Sequence, residues 1–219
     1  MEKWEVLEED DEILVCYKPA GIATQNSKSM EQDMVSILKN YRKEKGEDPY
    51  IGVIQRLDQP VEGVLCFAKT KEAAENLTKQ LREHKITKKY YGIITRGNMP
   101  KEAVLEDYLV KDGRKGRAMV VNENDPRGKK ARLSYRVISE VDDMRLLDIT
   151  LDTGRFHQIR AQFASRTAPL YGDTKYGGVS TGRPLCLCAY QCGFLHPKTG
   201  IPMEFTINPK GEDFQDLLP

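Results

Sequence analysis

The 219-residue chain is long enough for one domain with a sizeable core, and its composition, 39% hydrophobic and 31% charged, suits a globular protein. No stretch approaches the ~18 apolar residues of a membrane span. Residues 2–12 hold seven Asp or Glu, so we expect neither a signal nor a transit peptide. Five cysteines, with no CxxC and no nearby His pair, favour core thiols in a reducing cytoplasm over a zinc site.

The net charge of +1 is unevenly distributed along the chain. Residues 111–132 contain eight basic and three acidic residues, whereas residues 2–12 are strongly acidic. This asymmetry fits a protein with one face toward phosphates and another that repels them. A solvated hairpin loop is the alternative interpretation of the basic segment.

Hydrophobic periodicity indicates many short strands and a few helices. In chain order it predicts a strand at 12–17, a helix at 29–44, strands at 52–54 and 64–68, a helix at 70–82, strands at 90–95, 133–138 and 146–151, a short helix at 157–166, and strands near 185–189 and 203–207. Thr70 is the expected N-cap of the second helix. The fold class is therefore α+β, with a largely antiparallel mixed sheet flanked by helices and loops.

One carboxylate, Asp58, lies beside Arg56 in a Pro- and Gly-bearing turn at residues 55–65, between two apolar runs. Asp is common in turns because it bonds its own backbone two residues on. A reactive group is also often carried by a loop on a rigid scaffold. The loop alone is compatible with both interpretations.

An aromatic strand at residues 88–94 is the second candidate site. In a strand Tyr90, Gly92 and Ile94 share one face, and Gly92 leaves space beside the Tyr90 ring. An aromatic face with a gap next to it, flanked by lysines, can stack an unpaired base. The alternative is a tyrosine packed in the core.

A third cluster surrounds the start of the short helix, where Arg155, His157, Gln158 and Arg160 lie close together in sequence. Backbone N–H groups at a helix start favour anions. An arginine at the margin of a buried face needs a carboxylate, and Asp58 is the candidate. A surface ion pair is the alternative.

Six segments resemble, in order and spacing, the motifs of the RluA-type family of RNA pseudouridine synthases. They are Lys18-Pro19-Ala20-Gly21, Arg56-Leu57-Asp58 with Gly63, Lys88 to Ile94, Thr153-Gly154-Arg155-Phe156-His157-Gln158-Ile159-Arg160, Gly172-Asp173 with Tyr176-Gly177, and His196-Pro197-Lys198-Thr199-Gly200. Each is weak alone, and together they cover nearly the whole chain. The resemblance implies the pseudouridine synthase catalytic fold, with residues 1–219 as a single domain and no separate N-terminal RNA-binding module.

The resemblance also implies the chemistry. The N1–C1′ bond of a uridine breaks, the uracil turns over and C5 joins C1′. Nothing is added or lost overall, so no cofactor or metal is required. The implied partner is ribosomal or transfer RNA, with neither DNA nor a membrane, and we expect a cytoplasmic monomer.

By the same resemblance, Asp58 is the catalytic carboxylate, as the nucleophile or as the base that starts glycal formation. Arg160 would hold Asp58 ionised, since a close opposite charge depresses the pKa of a carboxyl group. Tyr90 would stack on the uracil and help remove the C5 proton. If the strand register shifts by one, Tyr91 takes that place.

The remaining candidates would bind the substrate. Leu187 would supply an apolar floor, and Arg56 would enter the space left by the flipped uridine. Arg155, His157 and Gln158 complete this set.

Five positions depart from the family pattern, all at the expected RNA-facing rim. Gln55 and Cys188 stand where histidines are common, and Pro60 and Val61-Glu62 replace polar residues. A protein on this fold that binds RNA, or acts as an RNA chaperone, without turnover is therefore a second hypothesis. A glycosidase is disfavoured because it usually needs two facing carboxylates, and only Glu62 lies near Asp58 in sequence.

Overall fold

The computed structural model describes residues 3–25, 32–95 and 97–218, which divide into two compact units. The first unit comprises Met1–Thr87 and Ala189–Asn208, and the second comprises Lys88–Cys188 and Pro209–Pro219. The elements are β1 (Glu5–Glu9), β2 (Ile13–Lys18), α1 (Met34–Glu44), β3 (Gly52–Val53), β4 (Glu62–Ala68), α2 (Lys71–Arg82), β5 (Thr87–Thr95), β6 (Glu102–Asp112), β7 (Arg117–Val121), β8 (Lys129–Val141), β9 (Met144–Leu151), α3 (Gln158–Ala164), β10 (Leu187–Leu195), β11 (Pro202–Thr206) and α4 (Glu212–Gln215), with a 3₁₀ turn at Thr174–Tyr176. The predicted α+β class is confirmed.

In the first unit, β2 lies between β1 and β4, and β10 lies on the other side of β4. The short strand β3 also pairs with β4, and β11 pairs with β10. Every residue of β2 and β4 is buried, because both faces of these strands are covered. The Asp58 loop connects β3 to β4, so the buried strand β4 holds the C-terminal end of this loop.

The helices of the first unit begin at side-chain caps. The Thr70 hydroxyl accepts the Ala73 N–H at 3.1 Å, so the predicted N-cap of α2 is confirmed. Ala73 and Leu77 face the core of this unit. Asp33 caps α1 by accepting the Ser36 N–H at 2.7 Å; the predicted start of this helix at residues 29–31 falls outside the described residues.

The acidic N-terminal segment is paired within its own unit. Lys69 and Lys45 bond to Glu9, at 2.8 and 3.0 Å. His196 and Lys198 contact acidic residues that follow Glu9 in the sequence. These ion pairs hold β1 in place, so much of the charge expected to repel phosphates is neutralised internally.

In the second unit, five antiparallel strands follow the order β5, β9, β8, β6 and β7. The strands predicted at 90–95, 133–138 and 146–151 are present and extend further. Strands β6 and β7 were not predicted, because their charged residues mask the apolar alternation. Their inner face contributes Leu109 and Ala118 to a small core, which also contains Ala131, and Ala161 of α3.

Helix α3 is shorter than the predicted 157–166. His157 has φ 51°, a left-handed conformation, so the helix begins only at Gln158. Arg155 and His157 therefore precede the helix. Among the residues described, no helix is long and apolar enough to cross a membrane, and all five cysteines are buried without a disulfide.

Candidate active site

Asp58 sits on a firmly held turn of the first unit. The Val61 N–H donates to the Asp58 carbonyl at 3.0 Å and closes the turn. Leu57 is buried, and its N–H and C=O both bond to the Thr24 hydroxyl, at 3.0 and 2.9 Å. The Asp58 residue itself is half-buried, and the adjacent Arg56 is exposed. The loop thus has a fixed base, and Arg56 on it is exposed to solvent.

A buried lysine holds the Asp58 loop against the loop that follows β2. The Lys18 ammonium, in a residue with 0% exposure, donates to the carbonyls of Pro19, Ile22 and Gln59, at 2.9, 2.6 and 3.3 Å. Burial lowers the pKa of Lys18 to about 8, and the Asp58 carboxylate opposes this shift. Lys18 therefore places a positive charge behind the loop that carries Asp58.

The end of the turn is packed against β10. Gly63 has φ +142°, and a Cβ there would lie 2.5–2.6 Å from backbone atoms of Ala189, so only glycine fits. The neighbouring Glu62 is buried and accepts a 2.7 Å hydrogen bond from the Tyr17 hydroxyl. The departure from the family pattern at Glu62 is thus accommodated inside the unit.

Arg160 is the centre of a second cluster, in the second unit. Its Nε and Nη2 donate to the two oxygens of Asp173, each at 2.8 Å, in a bidentate pair. The two side chains are 6% and 1% exposed. Its Cζ lies 5.0 Å from the centre of the Tyr176 ring. Asp173 is therefore a carboxylate partner of Arg160 within the unit, and the pairing with Asp58 stays a prediction.

His157 lies beside Arg160 and is only partly exposed. Its Nε2 is 3.3 Å from Arg160 Nη1, and its Nδ1 is 2.9 Å from the Tyr176 hydroxyl. Burial, with Arg160 as the next cause, lowers the pKa of His157 to about 3, so the ring is neutral near pH 7. A direct role in binding RNA stays a prediction for this residue.

Gln158 fixes the segment that leads to α3. It is buried; its carbonyl oxygen accepts from the Thr153 hydroxyl and the Arg155 N–H, at 2.7 and 3.0 Å. Its amide donates to the Arg132 carbonyl on β8 at 3.0 Å. These bonds favour a role in holding the segment over a contact with RNA. Arg155 is exposed and bonds through Nε to the Lys130 carbonyl at 2.9 Å.

Tyr90 lies on β5 and is 8% exposed. Gly92 is two residues further along the strand and shares the face of Tyr90. A Cβ at Gly92 would lie 3.1 Å from Ile149, 3.3 Å from Leu170 and 3.6 Å from Leu187. Branched side chains of neighbouring segments therefore bound the room at Gly92, and a space beside the Tyr90 ring stays a prediction. The same contacts place Leu187 on the side of β5 that carries Tyr90, where an apolar floor was expected.

The basic segment at 111–132 forms the β6–β7 hairpin and the start of β8. Arg114 and Lys115 are exposed at its turn, where their N–H groups bond the Asp112 carboxylate. Lys130 is paired with Glu106 at 3.3 Å and Arg127 with Asp125 at 2.8 Å. Lys130 and Arg127 are therefore neutralised by nearby carboxylates, whereas the side chains of Arg114 and Lys115 are exposed at the hairpin turn.

Within the described parts of the chain, no three His, Cys, Asp or Glu side chains are grouped so as to hold a metal ion. The first unit offers a half-buried carboxylate and a buried ammonium, and the second offers a neutral imidazole beside a fixed guanidinium.

The sequence matches the family model described as RNA pseudouridylate synthase over residues 12–165. The chain belongs to the RNA pseudouridylate synthase family. The resemblance to RluA-type members is confirmed. The matched range contains Asp58, Tyr90 and Arg160.

Curated relatives support the same assignment. The chain is 31% identical to "Ribosomal large subunit pseudouridine synthase D" of Nitrosomonas europaea, over 89% of this chain and 59% of that protein. It is 30% identical to the protein of that name from Salmonella typhimurium, over 98% of this chain and 69% of that one. An uncharacterised RNA pseudouridine synthase of Aquifex aeolicus is 32% identical, over 92% and 68%. The chain thus spans about 59–69% of the length of these relatives.

Solved structures agree on the fold. Human RNA pseudouridylate synthase domain containing 4 superposes with a TM-score of 0.77 at 22% identity, covering 94% of this chain and 88% of that one. Human RNA pseudouridylate synthase domain containing 1 gives 0.75 at 20% identity, covering 95% and 84%. At these identities the likeness concerns the fold alone.

Three residues of the family motifs carry contacts that the sequence reasoning did not assign. Lys18 braces the Asp58 loop, Asp173 binds Arg160, and Tyr176 contacts both His157 and Arg160. Each was noted only as part of a motif. The sequence contained one local signal for these contacts, the lysine of an otherwise apolar strand. A lysine that is buried in such a place needs several hydrogen-bond acceptors.

Proposed function

We propose that this chain isomerises uridine to pseudouridine in RNA, with Asp58 as the catalytic carboxylate. The main support is the turn that carries the half-buried Asp58. A backbone hydrogen bond closes this turn, and the buried Lys18 ammonium bonds to it. A catalytic group must be held in position by residues that are themselves locked. Family membership supports this chemistry.

The other proposed roles are those that the family resemblance implies, and contacts within each unit support them. Arg160 is the cation that keeps Asp58 ionised, and its bidentate bond to Asp173 prevents the guanidinium from turning. Tyr90 contacts the uracil over the apolar floor that Leu187 supplies. Arg56 is exposed on the Asp58 turn, which suits a side chain that fills the space left by a flipped base.

The substrate we propose is structured RNA of the large ribosomal subunit. Support comes from relatives named for that RNA, in Nitrosomonas europaea and Salmonella typhimurium. The β6–β7 hairpin supports an RNA partner independently, because Arg114 and Lys115 are exposed at its turn. Transfer RNA is the competing pool and is tested in the same experiment.

Release of tritium from RNA labelled at uridine C5 tests the reaction. The C5 hydrogen departs only if a bond forms at C5. Wild type should release tritium from ribosomal RNA, and Asp58→Asn should release none while binding RNA as wild type does. Asp48→Asn is the matched control, since Asp48 is exposed in the same unit and Asn keeps an oxygen for the Tyr50 N–H.

The outcomes separate the two hypotheses. Substantial release by Asp58→Asn would remove Asp58 from its role. No release by wild type from either RNA pool, with RNA binding intact, would favour the RNA-binding protein without turnover. Release from transfer RNA alone would correct the substrate.

A further inference from the structure

A hydrogen-bond chain connects the β6–β7 hairpin to Arg160, and the roles given so far do not use it. The backbone N–H of Ala118 on β7 donates to the Tyr176 hydroxyl at 2.7 Å. That hydroxyl is 2.9 Å from Nδ1 of His157, whose Nε2 is 3.3 Å from Nη1 of Arg160. All four residues belong to the second unit.

The chemistry of the groups fixes the direction of each bond. A guanidinium nitrogen only donates, so Nε2 of His157 must accept from Arg160. A neutral imidazole then carries its hydrogen on Nδ1 and donates it to the Tyr176 oxygen. That oxygen therefore accepts twice, from His157 and from the Ala118 N–H. The low pKa of His157, about 3, agrees with a neutral ring, and burial is its main cause.

This hydrogen-bond chain contacts the part of the Arg160 guanidinium that Asp173 does not bind. Asp173 binds Nε and Nη2, whereas His157 accepts from Nη1. The Tyr176 ring lies 5.0 Å from the guanidinium carbon and adds a contact to its face. The His157 ring is stacked on Phe156 with the ring centres 3.8 Å apart, which fixes its plane. Together these contacts set the rotation and the tilt of the guanidinium.

We propose that Tyr176 and His157 are positioning residues that aim the guanidinium of Arg160 and anchor it to the backbone of the basic hairpin. This inference rests on the proposed function. The Tyr176 hydroxyl is thus shared by the backbone of the hairpin that presents Arg114 and Lys115 and by His157, which accepts from Arg160. A misaimed guanidinium lowers the rate of the chemical step more than it lowers binding of RNA.

The test compares Tyr176→Phe with Tyr135→Phe in the tritium-release assay. Both tyrosines lie in the same unit and donate or accept one short bond to the backbone, but Tyr135 bonds to the Pro100 carbonyl at 2.9 Å. We expect Tyr176→Phe to lower kcat about tenfold with KM for RNA changed by less than about twofold. Tyr135→Phe should leave both near wild type. An equal effect of the two variants, or a change confined to KM, would overturn the proposal.

A double-mutant cycle tests whether Tyr176 acts through His157. Residues in one hydrogen-bond chain give losses that do not add. In a His157→Ala background, Tyr176→Phe should therefore cause little further loss of kcat. Fully additive losses of kcat would contradict the hydrogen-bond chain through His157.

A measurement without turnover separates this inference from the proposed function. Nitrogen NMR of the imidazole should show His157 protonated at Nδ1 and neutral at pH 5, and Tyr176→Phe should shift the Nδ1 signal. An Nε2-protonated ring, or a charged ring at pH 5, would refute the inference even in an active enzyme. The expected tautomer in a protein that releases no tritium would refute only the proposed function.

Discussion

Replacing Asp173 by Asn should show how much the buried pair with Arg160 contributes to folding and to catalysis. The two side chains are 6% and 1% exposed and share two 2.8 Å hydrogen bonds. Asn keeps one acceptor oxygen but removes the charge, so the guanidinium stays buried without full compensation. Removing one partner of a buried pair typically costs about 3–5 kcal/mol. We expect the lower end, about 3 kcal/mol, because one bond is retained.

The chain offers a matched control on its surface. Arg127 and Asp125 form the same bidentate contact, at 3.0 and 2.8 Å, but the arginine side chain is 73% exposed. Solvent screens that pair, so Asp125→Asn should leave the midpoint of unfolding unchanged. Urea titration followed by circular dichroism measures the free energy of unfolding of both variants against wild type.

Activity completes the test. Asp173→Asn should also lower kcat for tritium release at temperatures where it remains folded, because one side of the guanidinium is released. Equal losses of stability in the Asp173 and Asp125 variants would refute the argument from burial. A destabilised Asp173→Asn with wild-type kcat would show that the pair supports folding without aiming Arg160.

Two further predictions concern the charges around the site. Deprotonation of Lys18 above pH about 8 leaves two N–H donors for three carbonyl oxygens, so activity should fall on the alkaline side of a pH profile. Between pH 8 and 10.5 Lys18 has lost its proton in the folded state but keeps it in the unfolded state, so the free energy of unfolding should rise with pH. A free energy of unfolding that falls over this range would contradict the lowered pKa of Lys18. Reversing Arg114 and Lys115 to Glu should weaken RNA binding most at low salt and reduce the salt slope by roughly one for each phosphate that is no longer neutralised. The same reversal at Lys71, exposed on α2, is the control, and an unchanged slope in the hairpin variant would show that this turn faces away from RNA.

The sequence by itself determined the features that depend on residues close together in the chain. Alternating and continuous apolar runs predict β4, β5 and β9, and Thr70 predicts the start of α2 through a bond only three residues long. The Asp58 turn was recognisable because Pro fixes its own φ and Gly allows a positive φ, and both are typical of turns. Family motifs in the right order then gave the chemistry and the candidate residues.

Only the tertiary structure decided which partners these residues meet. From the sequence we predicted Asp58 as the partner of Arg160. The bidentate partner within the unit, Asp173, lies 13 residues further on and was not predicted. The sequence did not show that Lys18 donates to the carbonyl of Gln59, 41 residues away, or that the Gln158 side chain bonds to the backbone of β8. It did not show which side chains of other segments, Ile149, Leu170 and Leu187, surround Gly92. Local patterns report backbone preference and burial, whereas the pairing of buried polar groups depends on packing between distant segments, which no local pattern encodes.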